Sequence, residues 1–348
     1  MKILMSHSED SAVGYYRVWQ PAKYLEKIGW KVIQTDRKAK LIPIEGKNSW
    51  SSMTKGADLF VLQRPEQAES VALGLALRDH FNIPYVLEID DNIYDVASNS
   101  VAFKFWNPNT LEGQSRIEIA EMMMQDADAL TVTTEGLKEA YSKLNKNIYV
   151  LPNYQDLDFW KAKTKPSEHL TIGWAGSATH YDDLKMIWRP IKKFLRNNKN
   201  ARFKVVGVNA DFLKDHPQVE IDMNWVYIDN YPEALASYGF DIGLIPIVNR
   251  DFNLGKSNIK WQEYSMLEIP TIASNLGEYK AIEHGVTGFL ANDDTMWLHY
   301  LEKLADSPEL RKTIGEQSKQ KIINDYNIEK RIHDRDNTYR TIIDNFKS

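Results

Sequence analysis

The run Gly255-Lys256-Ser257-Asn258-Ile259-Lys260-Trp261-Gln262-Glu263-Tyr264-Ser265-Met266-Leu267-Glu268-Ile269-Pro270-Thr271-Ile272-Ala273-Ser274 carries the deciding pattern. A glycine, a cation and two small polar residues precede a helix-like stretch, and Pro270 then leads into an apolar strand. That order suits a nucleotide diphosphate. The loop and helix start meet phosphates, and a carboxylate further along accepts hydrogen bonds from a ribose. A capped surface helix packed on a buried strand would leave the same local pattern.

Working outward, the same alternation of strand and helix fills the chain. Lys2 to Met5 reads as a buried strand, followed by a loop containing Gly14 and an amphipathic helix from Tyr16 to Ile28 that stops at Gly29. Strands are expected at Lys31–Gln34, Ala57–Leu62, Pro84–Ile89, Ala127–Val132 and Ile148–Leu151, with a helix over Glu66–His80. The pattern breaks between Pro152 and Pro166. A second series then runs through Leu170–Trp174, Phe203–Val208, Trp225–Ile228, Ile242–Pro246 and Pro270–Ala273, and charged helices follow from about Met296. Strands separated by helices argue for parallel sheets covered on both faces. The fold class is therefore α/β, with two Rossmann-like doubly wound domains facing a cleft and helices at the C-terminal end.

Composition bounds the function. At 348 residues the chain exceeds the size of one core, so two domains are the default. A net charge of −5 argues against a large basic field for nucleic acid. The absence of cysteine removes disulfides, thiolate zinc sites and cysteine nucleophiles together. No apolar run approaches the roughly 20 residues that cross a bilayer. The opening Met1–His7 is too short and interrupted for a signal peptide, so a soluble cytoplasmic protein is expected.

Three further motifs stand at strand ends. Gly173-Trp174-Ala175-Gly176-Ser177-Ala178-Thr179-His180 is a strand running through glycine and serine toward a helix, which permits close backbone approach to an anion. Ser11-Ala12-Val13-Gly14-Tyr15-Tyr16-Arg17 follows the first strand. Glu88-Ile89-Asp90-Asp91-Asn92 ends a buried strand with adjacent carboxylates that need a cation, hydrogen bonds or proton uptake to coexist. Acceptor orientation or base work, metal binding, and a helix N-cap by Asp91 or Asn92 all remain open for this last motif.

Taken together, the Gly255–Ser274 run, Gly277-Glu278, the Glu283–Leu290 segment and the Gly173–His180 motif resemble retaining glycosyltransferases of the GT-B fold, family 4 type. The resemblance is strong from Gly173 to Leu290 and weaker in the first half. It implies an acceptor-binding domain over 1–155, a nucleotide-sugar domain over 156–325, and a final helix over 326–348 crossing back to the first domain. Gly176, Ser177, His180, Gly255, Lys256, Ser257, Asn258 and Glu263 would bind the donor, a UDP-sugar foremost. Lys256 would stabilise the departing diphosphate, and Glu263 would anchor the ribose. Asp90 or Asp91 would orient the acceptor hydroxyl, and Gly14, Tyr16 and Arg17 would position sugar or acceptor. No metal and no cofactor are implied. Many relatives carry two glutamates in a Glu-x7-Glu arrangement; Glu263 fits the second, and Gly255 stands where the first would be.

The resemblance leaves rivals. A nucleotide-sugar epimerase or a non-catalytic sugar-nucleotide binder would share the fold. Viral enzymes of this general fold glycosylate hydroxymethylated DNA bases, and the acidic composition argues mildly against a duplex acceptor.

Overall fold

The computed structural model describes the chain except residues 7–10, 36–45, 48, 65–75, 77, 99, 101, 166 and 225. Among the described residues twelve strands form two six-stranded sheets whose neighbours all pair in parallel. The first holds β1 (Lys2–Ser6), β2 (Lys31–Thr35), β3 (Leu59–Gln63), β4 (Tyr85–Ile89), β5 (Ala129–Val132) and β6 (Ile148–Val150), in the order β2-β1-β3-β4-β5-β6. The second holds β7 (Leu170–Ala175), β8 (Ala201–Val206), β9 (Val219–Asp222), β10 (Ile242–Ile245), β11 (Thr271–Ser274) and β12 (Phe289–Ala291), in the order β12-β11-β10-β7-β8-β9.

Alternation of side chains explains why both faces are dry. In β3, Leu59 and Val61 pack with the last helix, while Phe60 and Leu62 pack on the opposite face with Met123 and Met124. In β7, Ile172 and Trp174 go to one core and Ala175 to another. The last helix, Ile328–Lys347, sets Ile328, Ile332, Tyr339, Ile342 and Ile343 against Ile3, Val18 and Leu25 of the first half. That helical spacing carries the chain back across the molecule. The outgoing and returning segments run side by side, because Gln155 N–H donates to Tyr326 C=O at 2.7 Å and Ile328 N–H to Gln155 C=O at 3.0 Å.

In each sheet the strand order reverses once, between β1 and β3 and between β7 and β10. Ligands of doubly wound sheets sit beyond the carboxyl ends of the strands at such points. Every motif named above lies in one of these loops or in its neighbours.

Two local expectations differ from the structure, and a third lies mostly outside the described residues. Of the strand expected over Trp225–Ile228, residue 225 lies outside the described residues and 226–228 form no strand: β9 lies earlier, where Val219 and Ile221 turn inward and Glu220 outward beside β8. Tyr227 is 72 % exposed, so its bulk meets no core. Gly14 is not in a loop but in a right-handed helical run over 12–27, capped by Ser11 and carrying a π-helical turn at Tyr15–Trp19. Most of the helix expected at Glu66–His80 lies outside the described residues; residues 76 and 78–81 are helical.

Candidate functional site

The loops beyond the two switch points face each other across one cleft. Ser177, His180, Lys256, Lys260 and Glu263 line it from the second half, and Tyr16, Arg64, Asp90 and Asp91 from the first. It encloses about 810 Å³ including its mouth. A second compartment continues from it past Gly176, Val206, Val226, Ile228 and Tyr238, sharing Ser177, Lys260 and Glu263 as the common wall.

The paired carboxylates are compensated by two cations, Arg64 on both and Lys256 on Asp91. Arg64 donates from Nε to Asp90 and from Nη2 to Asp91, each at 2.5 Å. Arg64 has φ 43°, a left-handed conformation that costs energy for a residue of its size and that recurs where side chains must be aimed. Lys256 reaches Asp91 across the cleft at 3.5 Å and sits 4.4 Å from the Phe252 ring centre. Burial pulls the Asp91 carboxyl upward, but Lys256 and then Arg64 outweigh it and hold it at about 2. Burial raises Asp90 despite Arg64. At neutral pH Asp91 is thus an ionised acceptor of hydrogen bonds. So depressed a carboxylate is a weak proton abstractor and a good orienting group.

The helix Ile259–Met266 is buried from Lys260 through Met266. Lys260, which the motif reading did not single out, donates to the carbonyl of Ala175 and lies 4.8 Å from the Trp174 ring centre. Burial lowers its pKa to about 8, with Lys256 adding to the effect and Glu263 opposing it. Its spacing offered a signal: Lys260 and Glu263 stand three apart, which is one helical face, and Lys256 lies in the loop just before that helix.

Glu263 Oε1 accepts from Tyr16 Oη at 3.1 Å and Oε2 from Tyr231 Oη at 3.3 Å. Burial pushes its pKa up to about 7, against Lys260 and both tyrosines. A carboxyl raised above its unfolded value stabilises fully below about pH 4.5, and that stability is lost as pH rises through about 7. Glu263→Gln is therefore expected to be more stable than the parent by roughly 3 kcal/mol at pH 8. The difference should shrink to nothing near pH 4.5, which melting temperatures across that range will show.

At the end of β7, a Cβ on Gly176 would stand 2.7 Å from Lys260 Nζ and 2.9 Å from the Trp174 ring. Only glycine lets this cation sit beneath the turn. Ser177 is exposed, and its Oγ lies 2.8 Å from Thr179 Oγ1. His180 Nδ1 is 2.7 Å from Asp183 Oδ2. Burial, helped by Lys256 and Lys260 and opposed by Asp183, lowers the imidazole pKa to about 4. The ring is neutral at pH 7. With Nδ1–H donating to Asp183, Nε2 is left as an acceptor, suited to a hydroxyl and not to a phosphate.

Not every residue of the motifs turns to the cleft. Gly255 lies against the first half, where its carbonyl accepts from Thr134 Oγ1 at 3.0 Å and an added Cβ would stand 2.7 Å from Leu137. Asn258 makes no cap bond and donates to Tyr326 Oη at 3.0 Å. Gly14 is buried within its helix. Arg17 does not present its charge to a ligand; it is 1 % exposed and paired with Glu88 at 2.6 Å. It acts at one remove, donating to Asn153 Oδ1 at 2.9 Å, while Asn153 Nδ2 donates to Ser257 Oγ at 2.9 Å. Tyr16 reaches the site as the hydroxyl on Glu263. Among the described residues no group of three or more His, Cys, Asp and Glu could hold a metal ion, and no helix is long and apolar enough to cross a membrane.

No family model matches the chain, and no curated protein matches it significantly. Solved structures do. Sucrose-phosphate synthase from Thermosynechococcus elongatus is similar at a TM-score of 0.67 and 14 % identity, over 98 % of this chain and 99 % of that one. HepE from Anabaena, in complex with UDP and glucose, is similar at 0.65 and 12 % identity, over 98 % of this chain and 100 % of that one. A glycosyltransferase from Rickettsia africae is similar at 0.65 and 16 % identity, over 98 % of each chain. The two facing doubly wound domains of this chain are accordingly the GT-B fold.

Proposed function

We propose that the protein is a retaining glycosyltransferase that moves a sugar from a UDP-sugar to an acceptor hydroxyl. One observation carries the reading: Lys256, Lys260 and Glu263 line a single cleft with Ser177 and His180, opposite the ionised Asp91. A nucleoside diphosphate needs two cations beside its phosphates and an acceptor of hydrogen bonds beside its ribose, and this wall supplies both. The base would enter the compartment beyond Gly176, with Glu263 on the ribose, the lysines on the diphosphate and His180 Nε2 on a sugar hydroxyl. HepE, of similar fold, was solved with UDP and glucose, which supports a donor of this class.

In the reaction the bond between the anomeric carbon and the diphosphate oxygen breaks, and the acceptor oxygen takes its place on the same face. The acceptor proton passes to the departing phosphate oxygen, so neither a protein nucleophile nor a metal is needed. The lysines stabilise charge that develops only as the diphosphate leaves. The first half, 1–155, would hold the acceptor and the second, 156–325, the donor, with 326–348 tying them together in a cytoplasmic enzyme.

Thermal shift against UDP-glucose, UDP-N-acetylglucosamine, GDP-mannose and ADP-glucose tests this directly, since a ligand at 100 times its Kd adds about 2.7 kcal/mol. A UDP-sugar should raise the melting temperature, and the shift should vanish in Lys256→Ala and Glu263→Gln. Product analysis then separates the rivals. An epimerase yields altered donor without an acceptor, and a non-catalytic binder yields nothing.

A further inference from the structure

Beside the cleft lies a recess that the donor reading does not use. It is walled by Ile89 at the end of β4, by Ile93, by Trp106 of the short Phe103–Trp106 helix, and by Ala120 and Met124 of the Leu111–Asp126 helix. Arg64 and Asp91 line both this recess and the cleft, so the two spaces meet at the carboxylate proposed to orient the acceptor. The polar side-chain groups of its lining are Arg64 and Asp91, already joined to each other, and the indole N–H of Trp106. Ile89, Ile93, Ala120 and Met124 carry no hydrogen-bonding side-chain group except the weak thioether sulfur.

We infer, on the basis of the donor reading above, that the acceptor carries its hydroxyl on a small apolar group, which enters this recess while Asp91 orients the hydroxyl at its mouth. A hydroxyl pushed past Asp91 would meet no side-chain acceptor and one donor at most, the Trp106 indole N–H, which disfavours a sugar ring or another polyol there. A methylene in the same place leaves water at a gain of about fourfold in affinity. Size narrows the class further. The recess offers about 60 Å³ to water-sized spheres, several times the 10–15 Å³ that roughly one water needs. That admits a group of a few carbons, such as a short alkyl chain or the edge of a ring.

The test uses the UDP-sugar that gives the largest thermal shift, with ethanol, 1-propanol and 1-butanol as acceptors beside ethylene glycol and glycerol. The kcat/KM for transfer should rise about fourfold per methylene along the alcohols, and the polyols should fall at least tenfold below the alcohol of equal carbon number. Ala120→Leu fills the recess and should flatten the series. Met124→Ala enlarges it and should move the optimum to longer alcohols, so the inference stays testable if the filled variant fails to fold. Polyols equal to the alcohols, or a slope unchanged in the variants that fold, would overturn it. If the donor shifts melting and is hydrolysed yet the alcohols show no slope, this inference alone fails. If no nucleotide sugar binds, the donor reading fails and takes this one with it.

Discussion

Lys256→Ala is expected to lower turnover with a UDP-sugar about 100- to 1000-fold. The ammonium lies in the loop after β10 and is 15 % exposed, screened by Phe252 and facing Asp91 at 3.5 Å. A charge so placed is already partly desolvated, so its field on a leaving diphosphate is stronger than that of a surface lysine. Its partner in the ligand-free cleft is a carboxylate 41 % exposed, which limits what the ion pair itself adds to stability. The variant should therefore unfold within about 1 kcal/mol of the parent while losing catalysis. The loss should appear in kcat at saturating donor as well as in the weakened donor binding, because the charge that Lys256 meets grows toward the transition state. The Asp91 carboxyl should also titrate higher, since Lys256 is the larger of the two cations' effects holding it at about 2. A variant that turns over within threefold of the parent would place the leaving group elsewhere.

The alternating strands of both halves were legible because buried parallel strands write themselves as apolar runs. β9 was not, because Val219-Glu220-Ile221-Asp222 is short and half polar, while the run Trp225-Val226-Tyr227-Ile228 imitates a strand in sequence although Tyr227 is exposed. For the candidate site, the glycine–lysine–serine loop and Glu263 stood out from their spacing. Whether Gly255 and Asn258 faced a ligand or the neighbouring domain could not be read from the line of residues, because that depends on how two separately folded halves meet. Lys260 was overlooked because an ammonium inside a buried helix looks in sequence like any solvated lysine. Arg64 carried no motif at all. Its role follows from a left-handed backbone and from two carboxylates one strand away, and neither is visible before the sheet is assembled.

Glu88→Ala is expected to destabilise the protein by about 3–5 kcal/mol and to weaken donor binding as well. Glu88 ends β4 with no exposure, and each of its oxygens is committed. Oε1 accepts from Arg17 Nε at 2.8 Å and Nη2 at 2.6 Å, and Oε2 from Thr131 Oγ1 at 2.7 Å and Arg335 Nη1 at 3.3 Å. Arg17 and Arg335 are 1 % and 3 % exposed, so removing the carboxylate strands two cations without water. The functional loss follows from what the two arginines hold. Arg335 belongs to the last helix; it donates to Tyr339 Oη one turn on at 2.8 Å, and its bond to Glu88 at 3.3 Å ties that helix to the first sheet. Arg17 fixes Asn153, and Asn153 fixes Ser257, the residue after Lys256. Urea unfolding gives the stability term, and thermal shift at saturating UDP-sugar gives the binding term. Replacing all three groups by apolar residues, Glu88→Leu with Arg17→Met and Arg335→Met, should restore much of the stability, because no buried charge is then left unpaired. Donor binding should stay weak in that triple variant, since Asn153 would still lack its anchor. Recovery of stability and binding together would show that the buried cluster supports the fold alone and has no hold on the phosphate loop.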